Sequence, residues 1–107
     1  MKRLFLLNLY YDALKNQADK VAKVKTIVRG CAQDDWNVLA FGDHICTIGF
    51  YAEIPSMEAF HRDMTGLSEG EQFRYLLTAV QKPYSFHTNT PHSEWFVNRL
   101  DRASREA

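Results

Sequence analysis

Cysteine is scarce in this chain, and the placement of its cysteines argues against two common roles. Cys31 and Cys46 are the only cysteines among 107 residues, and they lie fifteen positions apart. A zinc knuckle or a redox-active pair needs cysteines at short, paired spacings, so neither role is predicted. Cys46 lies inside an apolar run, and we expect it to be a buried thiol.

Net charge is also absent, because 13 Lys and Arg balance 13 Asp and Glu. A neutral chain has no general electrostatic attraction to nucleic acid or to a membrane surface. The charges are unevenly distributed, however, since residues 1–31 carry seven Lys and Arg against two Asp. This asymmetry is compatible with a local basic patch, although solvated helix faces are the commoner cause.

Long apolar segments and well-known catalytic motifs are missing too. The longest apolar run, residues 4–11, is interrupted by Asn8 and is far too short to span a bilayer. Lys2 and Arg3 precede this run, but no small-residue cleavage site follows, so we expect a cytoplasmic protein without a signal peptide. The absence of Gly-rich phosphate loops and of a G-x-S-x-G elbow argues against the commonest nucleotide-dependent enzymes and hydrolases.

The sequence does contain a regular succession of strand and helix patterns. Apolar runs predict strands over residues 4–11, 36–41, 45–52 and 73–81. After the first strand, apolar residues recur at three- and four-residue steps, which predicts a helix that ends at Gly30. Gly42 and Asp43 predict a two-residue hairpin turn between the second and third strands. Ser56 is the predicted N-cap of a second helix, and Gly66 and Gly70 are its predicted end.

The order of these elements predicts the fold class. A last helix is expected over about residues 91–103, with Pro91 at its first position and a frayed tail after it. The whole order is then β-α-β-β-α-β plus a C-terminal helix, a ferredoxin-like α+β fold with a four-stranded antiparallel sheet and helices on one face. We expect a single domain over residues 1–107. The first and third strands are central in that topology, and they are the most continuously apolar strands here.

Helices on only one face of the sheet leave the other face open. Strands as apolar as these are not expected to leave that face in water. A second copy of the chain is the simplest cover, so the sequence predicts a homodimer.

Asp12 is the first candidate site residue, because it follows the first strand directly. A carboxylate at this place could bind a metal ion or face a symmetry mate, and Mg²⁺ needs only one or two protein carboxylates besides its waters. The alternative is that Asp12 caps the helix that follows by accepting backbone N–H bonds.

Four further residues are candidates for contacts with nucleic acid or another ligand. Asn8 interrupts the most buried strand and must find hydrogen-bond partners across the sheet, at a dimer interface or in a pocket. Tyr10 could stack on a base if it lies on an open sheet face, although such aromatics are more often core or dimer contacts. Lys15 and Lys23 lie on the basic side of the first predicted helix and could meet phosphates.

Two short segments carry a resemblance to a known family. Tyr11-Asp12 ends the first strand, and residues 91–96, PHSEWF, begin the last helix. With the hairpin that starts at Trp36, they resemble the CRISPR-associated ferredoxin-like nuclease family, and more closely its small relatives of the SinR and GhoS antitoxin type. The resemblance implies a homodimer, an RNA- or DNA-related role, and Asp12 as the catalytic, metal-binding carboxylate. The chain departs from the family at Ala13-Leu14, where the family has basic or polar residues.

These patterns leave three functions open. The first is a homodimer with a nucleic-acid-associated or regulatory role, which would be a Mg²⁺-dependent ribonuclease if Asp12 binds metal. The second is a non-catalytic module that binds a protein partner through the sheet face or an edge strand. The third is a dimeric α+β barrel that encloses a small molecule, with Asn8, His61 or Tyr51 lining the cavity.

Overall fold

The computed structural model describes residues 2–67, 73–80 and 93–106, and the side chains at 14–17, 93 and 101–106 lie outside that description. Along this part of the chain the elements are β1 (Arg3–Tyr11), α1 (Leu14–Ala32), β2 (Trp36–Phe41), β3 (Ile45–Ala52), α2 (Met57–Thr65), β4 (Phe73–Ala79) and α3 (Ser93–Glu106). The predicted βαββαβ order with an added C-terminal helix is confirmed.

The four strands form one antiparallel sheet in the order β2-β3-β1-β4. The α+β class is therefore confirmed, and β1 and β3 occupy the middle of the sheet as their apolar sequences predicted. The apolar side chains of these two strands are buried against α1 and α2 on one face and, at one end, against α3 on the other. β2 and β4 are the edge strands, and β2 carries a bulge at Leu39, between Val38 and Ala40.

Side chains alternate along β1 between the two faces of the sheet, and these two faces are covered by helices to different extents. Leu7 and Leu9 are fully buried against α1 and α2, in one core cluster with Val24 and Phe60. Leu4 points to the opposite face, together with the other even-numbered residues of β1. We call this second surface the open face. The two helices that follow β1 and β3 thus share one side of the sheet, as predicted.

α3 covers one end of the open face. Leu100 is buried there with Leu4 and Tyr51, and Trp95 and Phe96 pack beside them. The other end has no cover among the described residues, and three large apolar side chains are exposed on it: Tyr10 at 42%, Ile45 at 39% and Leu76 at 55%. Within the described residues, the prediction of an open apolar face therefore holds for the end that α3 leaves uncovered.

One carboxylate anchors α3. The Asp35 Oδ1 atom accepts hydrogen bonds from Trp95 Nε1 at 3.2 Å, from Arg99 Nε at 2.9 Å and from the Arg99 terminal nitrogen at 2.7 Å.

Directly beneath Trp95 lies Gly49, where an added Cβ would come within 3.0 Å of the indole ring and 2.9 Å of Leu39. Glycine at this position lets the indole approach the sheet backbone.

α1 does not end where the sequence predicted. The helix continues through Gly30 to Ala32, and Gln33 ends it with φ 56° and its N–H bonded to the Arg29 carbonyl at 2.8 Å. Burial of Val28 and Ala32 in the core explains the extension, because ending the helix at Gly30 would remove Ala32 from the apolar stripe. The predicted stop at Gly30 is therefore wrong.

The hairpin turn is displaced by one residue from the prediction. The Gly42 N–H donates to the Ile45 carbonyl at 2.8 Å, so Asp43 and His44 form the tip rather than Gly42 and Asp43. The Tyr11 hydroxyl explains the shift, because it donates to the carbonyl oxygens of Gly42 and Ile45 at 2.7 and 3.0 Å. That long-range contact fixes these two residues as a pair across the hairpin.

α2 begins and ends as predicted. The Ser56 side chain accepts the Ala59 N–H at 3.1 Å, and Gly66 is the C-cap residue. Phe60 and Met64 form its buried stripe. Among the described residues, no helix is long and apolar enough to cross a membrane.

Candidate functional site

The end of β1 opens into a cleft of about 460 Å³, which we call the β1 cleft. Its lining residues are Tyr10, Tyr11, Asp12, Arg74 and Tyr75. The antiparallel register places Tyr10 opposite Arg74, so the last residues of β1 and the first of β4 meet at one end of the sheet. An aromatic ring, a carboxylate and a guanidinium group are thereby brought together from two strands that are far apart in sequence.

Asp12 is exposed at the mouth of this cleft. Its Oδ1 atom accepts the N–H of Ala13 at 2.7 Å. Ala13, with φ −159° and ψ 136°, is the N-cap residue of α1, so Asp12 lies one position before the cap. A carboxylate at this position still interacts favourably with the positive end of the helix dipole, although it does not occupy the N-cap itself.

The fit of the site to a metal ion depends on how many ligands one chain supplies. Among the described residues, no group of three or more His, Cys, Asp or Glu side chains could hold a metal ion. The Asp12 carboxylate has suitable chemistry for Mg²⁺, which keeps most of its waters and binds one or two carboxylates. The part of one chain that the structure describes therefore offers one carboxylate at this cleft, and further ligands could come from water, a second chain or a phosphate.

Two tyrosines of the cleft are neutral hydrogen-bonding groups. Burial raises the pKa of Tyr11 above its ordinary value, and the nearby Cys46 and Asp43 raise it further. Burial also raises the pKa of Tyr75, whose hydroxyl is hydrogen-bonded to His61 Nδ1. At neutral pH both phenols therefore keep their protons, which suits them to positioning a bound group rather than to nucleophilic attack.

Asn8 lies next to the β1 cleft on the open face, one side-chain row away from Tyr10. Its Oδ1 atom accepts a hydrogen bond from the Thr47 hydroxyl at 2.7 Å, across the β1–β3 pair. Of the three partners considered for Asn8, the structure thus shows a cross-sheet bond. Asn8 and Tyr10 present a polar and an aromatic side chain on the same uncovered half of the sheet.

The predicted lysine contacts do not join this surface. Lys23 is exposed on α1, which packs on the opposite side of the sheet from Asn8 and Tyr10. The Lys15 side chain lies outside the described residues. Other basic residues of α1 pack on aromatic rings of β2, with Arg29 5.7 Å from the centre of the Trp36 ring and Lys25 5.8 Å from that of Phe41. Of the predicted contact residues whose side chains are described, Asn8 and Tyr10 thus lie on one side of the sheet and Lys23 on the other.

The residues proposed to line a barrel cavity are not brought together either. His61 is on α2 beside Tyr75, Tyr51 is buried beneath α3, and Asn8 is on the open face.

Of the segment that carried the family resemblance, Pro91 and His92 lie outside the described residues. Trp95 is described, and it contributes to the anchor of α3 rather than to the cleft.

Sequence reasoning missed Arg74 and Asp35. Arg74 lines the cleft because of the β1–β4 register. The antiparallel order of the predicted strands could have indicated this contact, since antiparallel pairing places the start of β4 beside the end of β1. Asp35 lies directly before β2 and was not among the candidate site residues. Its role depends on Arg99, which is 64 residues away, and no local pattern connects the two.

Comparison with known proteins gave no significant match of this chain to a protein-family model, a curated protein or a solved structure. The resemblance to the CRISPR-associated nuclease family and its SinR and GhoS relatives therefore stays a prediction.

Proposed function

We propose that this chain is a homodimeric, nucleic-acid-associated protein that contacts RNA in the β1 cleft. The observation that supports the proposal is the meeting of Tyr10, Asp12 and Arg74 around one cleft. Tyr10 is 42% exposed and can stack on a base, and the Arg74 guanidinium can bind a phosphate with two parallel hydrogen bonds.

The uncovered half of the open face supports the homodimer. Ile45 and Leu76 are exposed there on β3 and β4, next to the end that α3 covers, while Tyr10 at the end of β1 stays with the cleft. Burial of such side chains against a second copy contributes about 25 cal/mol per Å² of apolar surface removed from water. If the two-fold axis runs along β1, such an interface would also bring two β1 clefts, and two Asp12 carboxylates, to the same end of the dimer.

Catalysis is the further step of this proposal. Bound Mg²⁺ supplies charge neutralisation at a phosphate and a more acidic water. Asp12 would act as its protein ligand, with a second carboxylate from the partner subunit. Arg74 would hold the phosphate, and Tyr10 would fix the adjacent base.

The experiment combines RNA binding and RNA cleavage on the same variants. Fluorescein-labelled single-stranded RNA of mixed sequence is titrated with the purified protein, with and without Mg²⁺. We expect Tyr10→Ala and Arg74→Ala each to weaken binding by about tenfold, the loss of one stacking or charge-assisted contact. Asp12→Ala should retain binding and lose Mg²⁺-dependent cleavage without unfolding.

The control variants carry the same chemistry at other places. Asp43→Ala removes an exposed carboxylate at the hairpin tip, and Arg62→Ala removes an exposed guanidinium on α2. Both should bind and cleave like the parent chain. Equal cleavage by the parent and by Asp12→Ala would refute the nuclease role, and equal binding by Arg74→Ala and Arg62→Ala would refute the cleft as the RNA site.

The two other functions differ in their support. Asn8, His61 and Tyr51 do not line a common cavity in the described residues, so no observation favours the small-molecule barrel. A protein-binding role is favoured by one specific feature, the outer edge of β4, which leads to the inference below.

A further inference from the structure

A groove of about 480 Å³ runs between α2 and the outer edge of β4, and we call it the α2–β4 groove. Its lining is mainly apolar and includes Phe5, Met57, Phe60, Tyr75, Leu77 and Ala79. Met57 is 52% exposed at one rim and Leu76 is 55% exposed at the other. We infer that this groove binds an extended peptide segment of a protein partner, which adds to β4 as a fifth strand.

The backbone of β4 provides the hydrogen bonds for such a strand. Among the described residues, β4 pairs with β1 alone and ends the sheet. The Val80 N–H donates to the Leu4 carbonyl at 2.8 Å, which fixes the direction of the backbone groups along β4. Because these groups alternate from one residue to the next, Thr78 and Leu76 also face β1, and Tyr75, Leu77 and Ala79 face outward. An edge with unpaired N–H and C=O groups is a template for another strand.

The same three residues direct their side chains towards α2. Tyr75, Leu77 and Ala79 belong to the half-buried set packed on the main core, whereas Leu76 and Thr78 project onto the open face. A strand paired with β4 would therefore place alternate side chains in the groove, between this row and Met57 and Phe60 of α2. The β4 edge requires an extended chain, and the alternate side chains of that chain would enter the apolar groove. The two features together therefore fit one occupant.

The lining also indicates the chemistry of the peptide. The floor near Leu77 and Ala79 is aliphatic, which favours apolar peptide residues at alternate positions. The Tyr75 end carries the hydrogen-bonded pair formed by the Tyr75 hydroxyl and His61 Nδ1, which favours a polar side chain. The partner is thus a segment with two apolar residues separated by one position, followed two positions later by a polar residue, or the reverse order. A small apolar molecule would fill the groove but leave the β4 edge unpaired.

The first measurement is hydrogen exchange of the free protein. If the edge is open, amide protons of Tyr75, Leu77 and Ala79 should exchange much faster than those of Leu76, Thr78 and Val80, which bond to β1. Equal protection of both sets would show that another part of the chain or a second copy already pairs with this edge, and would overturn the proposal.

The second measurement selects binders from a phage-displayed library of random dodecapeptides, and the enriched peptides are synthesised and titrated by fluorescence anisotropy. We expect an alternating apolar pattern and amide-resonance shifts at Tyr75, Leu77 and Ala79. Met57→Asp should weaken binding by about tenfold, because a charge enters the apolar rim. Ala79→Pro should do the same by removing one outward N–H, which an edge strand tolerates structurally.

Phe41→Asp is the matched control, since Phe41 is 55% exposed on the other edge strand. It should leave peptide binding unchanged. A library that yields no binder, or binders that are insensitive to both Met57→Asp and Ala79→Pro, would overturn the inference. So would a dimer, measured by sedimentation, that both variants convert to monomer, because the occupant would then be a second copy.

This inference is independent of the RNA proposal. Tyr75 borders both the β1 cleft and the α2–β4 groove, but Met57 and Ala79 line only the groove. Met57→Asp should therefore leave RNA binding intact, and Arg74→Ala should leave peptide binding intact.

Discussion

Two glycines show at the residue scale how the same change has opposite effects in different surroundings. Gly49 is buried in β3 under Trp95, and an added Cβ would come within 3.0 Å of the indole and 2.9 Å of Leu39. Gly30 is exposed in α1, and an added Cβ would have no neighbouring atom within 4 Å. The backbone cost of glycine in a regular element is similar at both sites, so the difference comes from packing.

We predict that Gly49→Ala lowers the free energy of unfolding by about 1–3 kcal/mol, because the indole or Leu39 must move from its packed position. Gly30→Ala should raise it by about 0.5–1 kcal/mol through helix propensity. Urea unfolding measured on the two variants checks both signs. A stabilising Gly49→Ala would show that Trp95 does not lie against the sheet backbone.

Asp12 shows what the sequence determines about a single residue. Its place after the first strand was sufficient to predict a carboxylate at the end of a strand, next to a helix start. Its exact relation to the helix depended on where α1 begins, and that places Ala13 at the N-cap. The neighbour that β4 contributes beside Asp12 in the cleft is Arg74. Its position follows from strand pairing and not from any local motif.

At the scale of the element, α3 depends on one carboxylate. Asp35 accepts three hydrogen bonds from Trp95 and Arg99, and the Arg99 and Asp35 side chains are only 18% and 24% exposed. Charge-assisted bonds in such partial burial are stronger than those of exposed pairs. α3 also makes apolar contacts, through Leu100 and Phe96.

We predict that Asp35→Ala lowers the free energy of unfolding by about 1–3 kcal/mol, since Arg99 and the Trp95 indole lose their shared acceptor. The indole N–H resonance of Trp95 should shift in the NMR spectrum, and urea unfolding gives the energy. Asp34→Ala removes the adjacent, exposed carboxylate and should change stability by less than about 0.5 kcal/mol. Equal effects of the two variants would contradict the anchor.

Element boundaries illustrate where local patterns are sufficient. Ser56 as N-cap and Gly66 as C-cap were predicted correctly, because a cap is a contact within one turn of chain. Gly30 was predicted wrongly as a stop, because glycine permits a helix end but does not require one. The core contacts of Val28 and Ala32 are long-range, and they extend α1 by half a turn.

At the scale of the whole molecule, the burial of weakly acidic side chains makes the free energy of unfolding fall at alkaline pH. Burial raises the pKa of Tyr11 and Tyr75 above the ordinary value of 10.0. Burial also raises the pKa of Cys46 above 9.0, against the lowering effect of the Lys25 charge. Each group binds its proton more tightly in the folded state, so its contribution is fully present below the pKa of the unfolded chain. The contribution is lost as the pH rises through the folded-state pKa.

We therefore predict that the free energy of unfolding is flat near neutral pH and falls from about pH 9 upwards. Tyr11→Phe should lower stability by about 1 kcal/mol at neutral pH, since it removes the hydroxyl bonds to the hairpin. The same variant should show a shallower fall above about pH 10. Urea unfolding across this range measures both effects, and an unchanged alkaline slope in Tyr11→Phe would contradict the assignment to Tyr11.

The sequence by itself determined the class and the layers of this protein. Continuous apolar runs such as β1 and β3 predict central strands, and the helical spacing of Val21, Val24 and Val28 predicts a helix packed on the sheet. These properties depend on the period of the hydrophobic pattern, which is encoded residue by residue.

Only the tertiary structure decided which side chains meet. Arg74 joins Tyr10 and Asp12 through strand register, Arg99 reaches Asp35 across the molecule, and the open edge of β4 aligns with Met57 of α2. Lys23 is separated from Asn8 for the same reason, since the sheet lies between them. Such contacts join residues distant in sequence, and their geometry is fixed by the packing of whole elements rather than by any local preference of the chain.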